Sequence, residues 1–293
     1  MNRKIIFLAV IAGIALAAAV PFIVFHARSP VLVVADNSII QLYGSSRISR
    51  EAFHSSLDLF RPVKTVAAAD DSGDDMVQFA IAEVSSRPYC VLFPLRFAGA
   101  ARLFREKNPQ ILAVLLEGRS SENRETDVFQ DIFTYKTDIE ADFLRIGAAA
   151  AAIDGGRSGK IAVFMETQLQ TRGKDAFLRA LSDLEEPPAP LFYASYSQFS
   201  GVSDLSCVVL AGTGTEYLEN FSGVPVVFFT WIDPILIPND VVLIVDDSPW
   251  AQVPQAIRMA AAGLESGLIK SRFLVLNEKK IGAQALRKIK KTG

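Results

Sequence analysis

The chain reads as an α/β protein of two similar lobes, each a doubly wound parallel sheet, joined by a hinge. Three observations predict this. Short apolar runs alternate with helical stretches along most of the chain, an order that builds parallel sheets with right-handed crossovers. The alternation restarts at Thr137, where TDIEADFLRIGAAAAAI opens a second run like the first. A length of 293 residues, half of them hydrophobic, suits two lobes of roughly 100–150 residues with a core each.

The first 25 residues are of another kind. Arg3 and Lys4 precede 21 uncharged, almost wholly apolar residues, 5–25. At about 1.5 Å per helical residue this run is about 31 Å long, enough to cross a bilayer. Its positive end should stay in the cytoplasm, with the remainder outside. Residues 1–27 are therefore a signal anchor, or a signal peptide cut near residues 17–19, and the full-length run favours the anchor. The protein is expected to be exported, periplasmic or extracytoplasmic, and anchored to the cytoplasmic membrane. The formal charge is −2, and without Arg3 and Lys4 the balance is 28 basic against 32 acidic residues. Nothing in that balance suggests a nucleic acid partner.

Residues 31–35 (VLVVA) suit a strand buried on both faces, ending at Asp36 and Asn37. A helix follows from about Ser49, with Phe53, Leu57 and Phe60 on one side. Residues 63–69 form the second strand, which ends at Asp70 and Asp71, and 74–86 a helix carrying Val77, Ile81 and Val84. The third strand is 90–95, the next helix 98–107, and the fourth strand 111–116, closed by Glu117 and Gly118. DVFQDIFTYK reads as the strand that leads to the crossing. In the helix that follows, Thr137 can cap and Glu140 can complete a capping box; its polyalanine end offers a smooth face to a sheet.

The second half continues with a strand at 160–165, an amphipathic helix at 172–184 and a strand at 191–195. Only about ten residues then precede the strand at 207–211, fewer than a helical crossover needs. The second lobe is thus shortened by a helix. A short helix near 215–220, strands at 224–229 and 241–245, a helix at about 250–265 and a strand at 272–276 complete it. The tail from Glu278 is basic and reads as a solvated end. Cys90 and Cys207 each open an apolar strand and read as small core residues rather than a disulfide pair.

DIEADFLRIGAAAAAI, GKIAVFMETQLQTRGKDAFLRAL and VPVVFFTWIDPILIPNDVVLIVDDSPWAQVPQAIRMAAAGLESG are similar to the second-lobe helix, the strand and helix after it, and the hinge and return elements of one family. With the exported start, the order resembles the type I periplasmic binding protein fold. Within it, the sequence resembles most nearly the basic membrane protein family, the nucleoside-binding components of ABC importers. The resemblance covers most of residues 31–282. It implies lobe 1 at 31–136 with 247–270, lobe 2 at 137–246 with 271–293, and an ABC permease as partner. Here ADNSIIQLYGSS keeps Asp36 of that family's first loop, while FFT puts Thr230 where the family holds ribose with an aspartate.

Ligands of open α/β sheets lie outside the carboxyl ends of the strands. That rule, applied without the resemblance, selects Asp36, Asn37, Asp70, Phe93, Glu117, Glu166, Thr213, Thr230, Trp231, Asp246 and Asp247. Carboxylates there would bind hydroxyls or a cation, and Phe93 or Trp231 could stack on a flat or sugar ring. The ligand-binding set is Asp36, Asn37, Phe93, Glu117, Thr213, Thr230, Trp231 and Asp246. GTGTE at 212–216 is a turn into a helix, and ADDSGDD at 69–75 lacks the EF-hand spacing. No metal or cofactor is expected. The two histidines, His26 and His54, sit in no catalytic motif, so no enzyme is expected. Two functions fit: a solute-binding protein that captures a small polar ligand, nucleoside- or sugar-like, for an ABC importer, or a membrane-tethered sensor or scaffold serving an envelope partner. Closure would turn on crossings near Lys136, Asp246 and Lys270.

Overall fold

The computed structural model describes residues 24–118, 131–156, 159–165, 170–182, 184–211, 215–229 and 240–281, with 283, 286, 287 and 289. The expected membrane segment falls almost wholly outside these residues. Among the described residues no helix is long and apolar enough to cross a membrane.

The first half runs β1 (Val31–Asp36), α1 (Asn37–Tyr43), α2 (Ser45–Leu59), β2 (Val63–Ala68), α3 (Asp74–Val84), β3 (Cys90–Pro94), α4 (Ala98–Lys107), β4 (Leu112–Gly118) and β5 (Phe133–Thr137). The second runs α5 (Ile139–Asp154), β6 (Lys160–Met165), α6 (Gln170–Ser182), β7 (Ala189–Tyr193), β8 (Leu205–Ala211), β9 (Val226–Phe229), β10 (Val241–Asp246), α7 (Pro249–Ala261), β11 (Ser266–Ile269) and β12 (Arg272–Val275). Two six-stranded sheets result, ordered β11-β5-β4-β3-β1-β2 and β12-β10-β9-β8-β6-β7. The orders correspond strand for strand, so the restart at residue 137 marks a structural repeat.

The all-apolar runs take the inner positions. β1 is buried at every residue, between β2 and β3, and β10 likewise. Edge strand β2 mixes buried residues with exposed and half-buried ones. Cys90 and Cys207 are free, fully buried and in different sheets, and burial pushes both thiols well up.

Several expectations need correction. Asp138, not Thr137, caps α5, its carboxylate accepting from the Ala141 amide at 3.0 Å. Thr137 ends β5 and its hydroxyl accepts from Gln252 Nε2 at 3.0 Å. The small face of α5 meets a helix as well as the sheet: a Cβ at Gly147 would lie 2.8 Å from the Phe177 carbonyl oxygen of α6. The strand β11 was not read from the sequence, and β12 runs antiparallel to β10 in an otherwise parallel sheet. Helix α2 turns Arg47, Ile48, Glu51, Ser55 and Ser56 inward and leaves Phe53, Leu57 and the capping Phe60 exposed. The polar side won because that inner face meets charged groups of the crossings.

Where the second lobe lacks a helix, a single 3-10 turn (Tyr196–Gln198) joins β7 to β8. Aromatic rings cover the bared sheet instead. Phe164 lies 5.2 Å from Tyr193, 5.5 Å from Phe199 and 5.5 Å from Phe221. Such offset and edge contacts bury much area without a backbone layer. Tyr43, at the end of α1 in the first lobe, packs against this cluster and against the first lobe's own core.

Candidate functional site

Three crossings carry the chain between the sheets: β5 to α5, β10 to α7, and β11 to β12. Each is stitched by buried polar groups. The first holds the Thr137–Gln252 bond already described. At the second, Asp246 accepts from the Ser248 amide at 3.0 Å and pairs with Arg272 at 2.7 Å and Arg47 at 3.4 Å. Glu51 joins the group, 2.9 Å from Arg47 and 2.5 Å from Arg272. Arg47 and Glu51 belong to α2 of the first lobe, whereas Asp246 and Arg272 are direct antiparallel partners in the second sheet. The four charges therefore clasp one lobe to the other. Burial opposes the charge on both guanidiniums and lowers the Arg47 pKa; at Arg272, Glu51 and Asp246 more than offset it and raise the pKa.

At the third crossing Asp142 of α5 accepts from the Ser271 amide at 3.0 Å and from its hydroxyl, while Arg145 donates to the Ser271 carbonyl at 2.8 Å. Burial pushes the Asp142 carboxyl up to about 6, against the pull of Ser271 and Arg145. The folded carboxyl thus holds its proton more tightly than the unfolded one. Folding takes up a proton between about pH 4 and pH 6, so this group's stabilising contribution is greatest at the acid end and falls as the pH rises through about 6. Calorimetry should find a loss of about 3 kcal/mol from this source between pH 4 and 7, and Asp142→Asn should flatten that part of the profile.

The carboxyl rim of the first sheet carries two more charged groups. Asp36 closes β1, caps α1 by accepting from the Ile39 amide at 2.7 Å, and pairs with Arg96 at 2.6 Å. Arg96, 40% exposed, also donates to the Asp70 carbonyl. The Asp70 carboxylate accepts from the hydroxyl and amide of Ser38, which hold it below the usual carboxylate range. Glu117, buried at the end of β4, meets Lys136 of neighbouring β5 at 3.0 Å. Each pair offers a hydrogen-bond donor beside an acceptor, the arrangement that a polyhydroxylated molecule engages.

Asp36 and Glu117 thus lie on this rim and Asp246 lies in the clasp. Asn37 is exposed at the first position of α1. Phe93 is corrected: it is fully buried, its ring 5.8 Å from Phe104 in the core between the sheet and α4. Alternation along β3 points it inward with Val91, which the strand-end rule ignores. Thr213, Thr230, Trp231 and Glu166 lie outside the described residues. Arg96, Lys136, Arg47, Glu51 and Arg272 were missed. Arg96 follows β3 by two residues, within reach of the rule that found Phe93, and Arg47 and Glu51 have the i,i+4 spacing of a helical ion pair.

No family model matches the chain, and no curated protein does. Solved structures do match. A transcriptional activator of the comK gene from Bacillus halodurans is 14% identical over 90% of this chain and 95% of its own, with a TM-score of 0.55. An ABC transporter periplasmic solute-binding protein from Actinobacillus succinogenes 130z, with bound D-allose, is 13% identical over 86% and 99%, at 0.52. An ABC transporter, LacI family transcriptional regulator from Brachyspira murdochii is 14% identical over 90% and 99%, at 0.51. At such identities the likeness concerns architecture, and it stops short of the basic membrane protein family. The chain has two parallel-sheet α/β lobes consistent with the type I periplasmic binding protein fold.

Proposed function

We propose that this is an extracytoplasmic solute-binding protein that closes two lobes on a small polar ligand, sugar- or nucleoside-like, for an ABC permease. The observation that carries the reading is the donor-acceptor pairing at the first sheet's carboxyl rim, Asp36 with Arg96 and Glu117 with Lys136. Lobe 1 is taken as 31–136 with 247–270, and lobe 2 as 137–246 with 271–293. Asp36, Asn37, Glu117, Arg96 and Lys136 would contact the ligand from the first lobe, Thr213, Thr230 and Trp231 are kept as further candidate contacts, and Asp246 would lie at the hinge. Residues 1–27 would anchor the protein. The solved protein with D-allose shares the architecture, which favours a sugar over a nucleoside; fold does not fix function.

The second reading, a tethered sensor or scaffold with an envelope partner, has one observation in its favour. Tyr43 packs on the cores of both lobes, a contact that opening would break. Thermal unfolding of the full chain in detergent, against sugars, nucleosides and amino acids, separates the two. A ligand at 100 times its Kd should stabilise the protein by about 2.7 kcal/mol, and Arg96→Ala should abolish the shift. If no compound moves the midpoint, the second reading replaces the first.

A further inference from the structure

We propose that the outer face of α2 rests on a phospholipid bilayer surface, seating the first lobe against the membrane; this depends on the anchoring of residues 1–27 proposed above. Among the described residues, four large apolar side chains at the two ends of this face are substantially exposed: Phe53 at 60%, Leu57 at 55%, Phe60 at 42% and Val24 at 42%. Phe53 and Leu57 are one helical turn apart, on the side of α2 opposite buried Ile48 and Ser55. Exposure of so much apolar area in one place marks an interaction surface.

The position of the patch identifies what covers it. The apolar run of residues 5–25 ends at Phe25, whose ring lies 5.9 Å from that of Phe60. Phe60 caps α2 at its C-terminal end, so Phe53, seven residues back, lies about 10 Å along the helix from Phe60, and Phe25 and Phe53 line one cavity. An anchored chain therefore holds this face at the depth of the lipid headgroups, where no free partner need be recruited. Arg28 tightens the junction, its guanidinium 4.8 Å above the Phe60 ring and donating to the Phe60 carbonyl at 3.2 Å.

Charge agrees with this placement. Arg28, Arg50 and Lys64 are exposed on or next to α2 and Arg61 is half-buried after it, while Asp58, the exposed acid of α2 among the described residues, is paired with Arg258 at 3.6 Å. Aromatic and aliphatic groups rimmed by basic ones are what an anionic bilayer surface binds. Beside the patch, between α2 and edge strand β2, a cavity of about 720 Å³ lined by Phe25, Ile48, Ala52, Phe53 and Val63 continues the apolar surface inward.

The test uses the full chain in nanodiscs of phosphatidylethanolamine and phosphatidylglycerol, with a nitroxide label on Phe53→Cys, on Leu57→Cys or, as control, on Leu178→Cys, an exposed position of the second lobe. Native Cys90 and Cys207 are fully buried and should not label. At positions 53 and 57, collisions with oxygen should exceed those with a water-soluble nickel chelate at least threefold, with the opposite order at 178. If the chain stays with membranes through an alkaline carbonate wash yet 53 and 57 prefer nickel as 178 does, the docking is refuted and the anchor stands. Loss of the chain in the wash refutes the anchor and the docking together. Dipolar broadening between labels at position 53, with shielding from both reagents, would show that a second copy covers the face and would also refute it.

Discussion

Replacing Asp246 with alanine is expected to cost about 3–5 kcal/mol of stability, the effect of removing one partner from a buried ion cluster. Asp246 is 1% exposed and, like Glu51, pairs with both Arg47 and Arg272. Its loss leaves two guanidiniums and one carboxylate in a site already unfavourable to charge at Arg47. Because the Arg272 side chain is 35% exposed, water will relieve part of the deficit, which places the expected value near 3. A drop in Tm of about 5 °C, measured by calorimetry, corresponds to that figure. Glu51→Ala should behave similarly, and the double variant should lose less than the sum of the two. A loss under 1 kcal/mol for Asp246→Ala would mean that the cluster is solvated and does not hold the lobes together.

Trp250→Ala should lose about 3–5 kcal/mol, through a cavity rather than a charge. The indole is among the largest fully buried side chains of the described residues. It sits at the start of α7, its Nε1 donating to Thr65 Oγ1 at 3.0 Å and its ring 5.4 Å from that of Tyr43. The Ser55 hydroxyl donates to its backbone carbonyl at 3.3 Å, so β2, α1 and α2 all close on this one residue. Trp250→Phe keeps most of the volume and strands the Thr65 partner, so its cost should be less than half as large. Denaturant unfolding resolves the difference. Equal losses in the two variants would place the stabilisation in the hydrogen bond.

Both effects arise where α7 returns to the first lobe, which explains why the crossings are so heavily bonded. A strand pair inside a sheet is held by its ladder, but a crossing has no ladder and exposes its polar backbone to the core. Asp246 meets the Ser248 amide, Asp142 meets the Ser271 amide, and Thr137 meets Gln252, so these three buried donors are satisfied. Any opening of the lobes has to rearrange these bonds or pivot about them.

The alternation of apolar runs with helices was enough to reveal two parallel-sheet lobes, their central strands and the shortened second lobe, because a strand buried on both faces must be continuously apolar whatever surrounds it. β1 and β10 are such runs. The same local signal could not orient α2, whose apolar stripe of Phe53 and Leu57 reads as a core face. Only the approach of Asp246 and Arg272, about 200 residues away in the chain, turned Arg47 and Glu51 inward. Nor could it see that β12 would reverse its direction, since a strand's partner and sense are set by the crossings around it. The strand-end rule reached Asp36, Glu117 and Asp246, for these acids end apolar strands. It misplaced Phe93 because the face a side chain takes depends on register and on the helix that covers it. Arg96 and Lys136 became visible as candidate site residues only once folding had set each beside its carboxylate: a charge pair is a relation in space, and local sequence carries only one member of it.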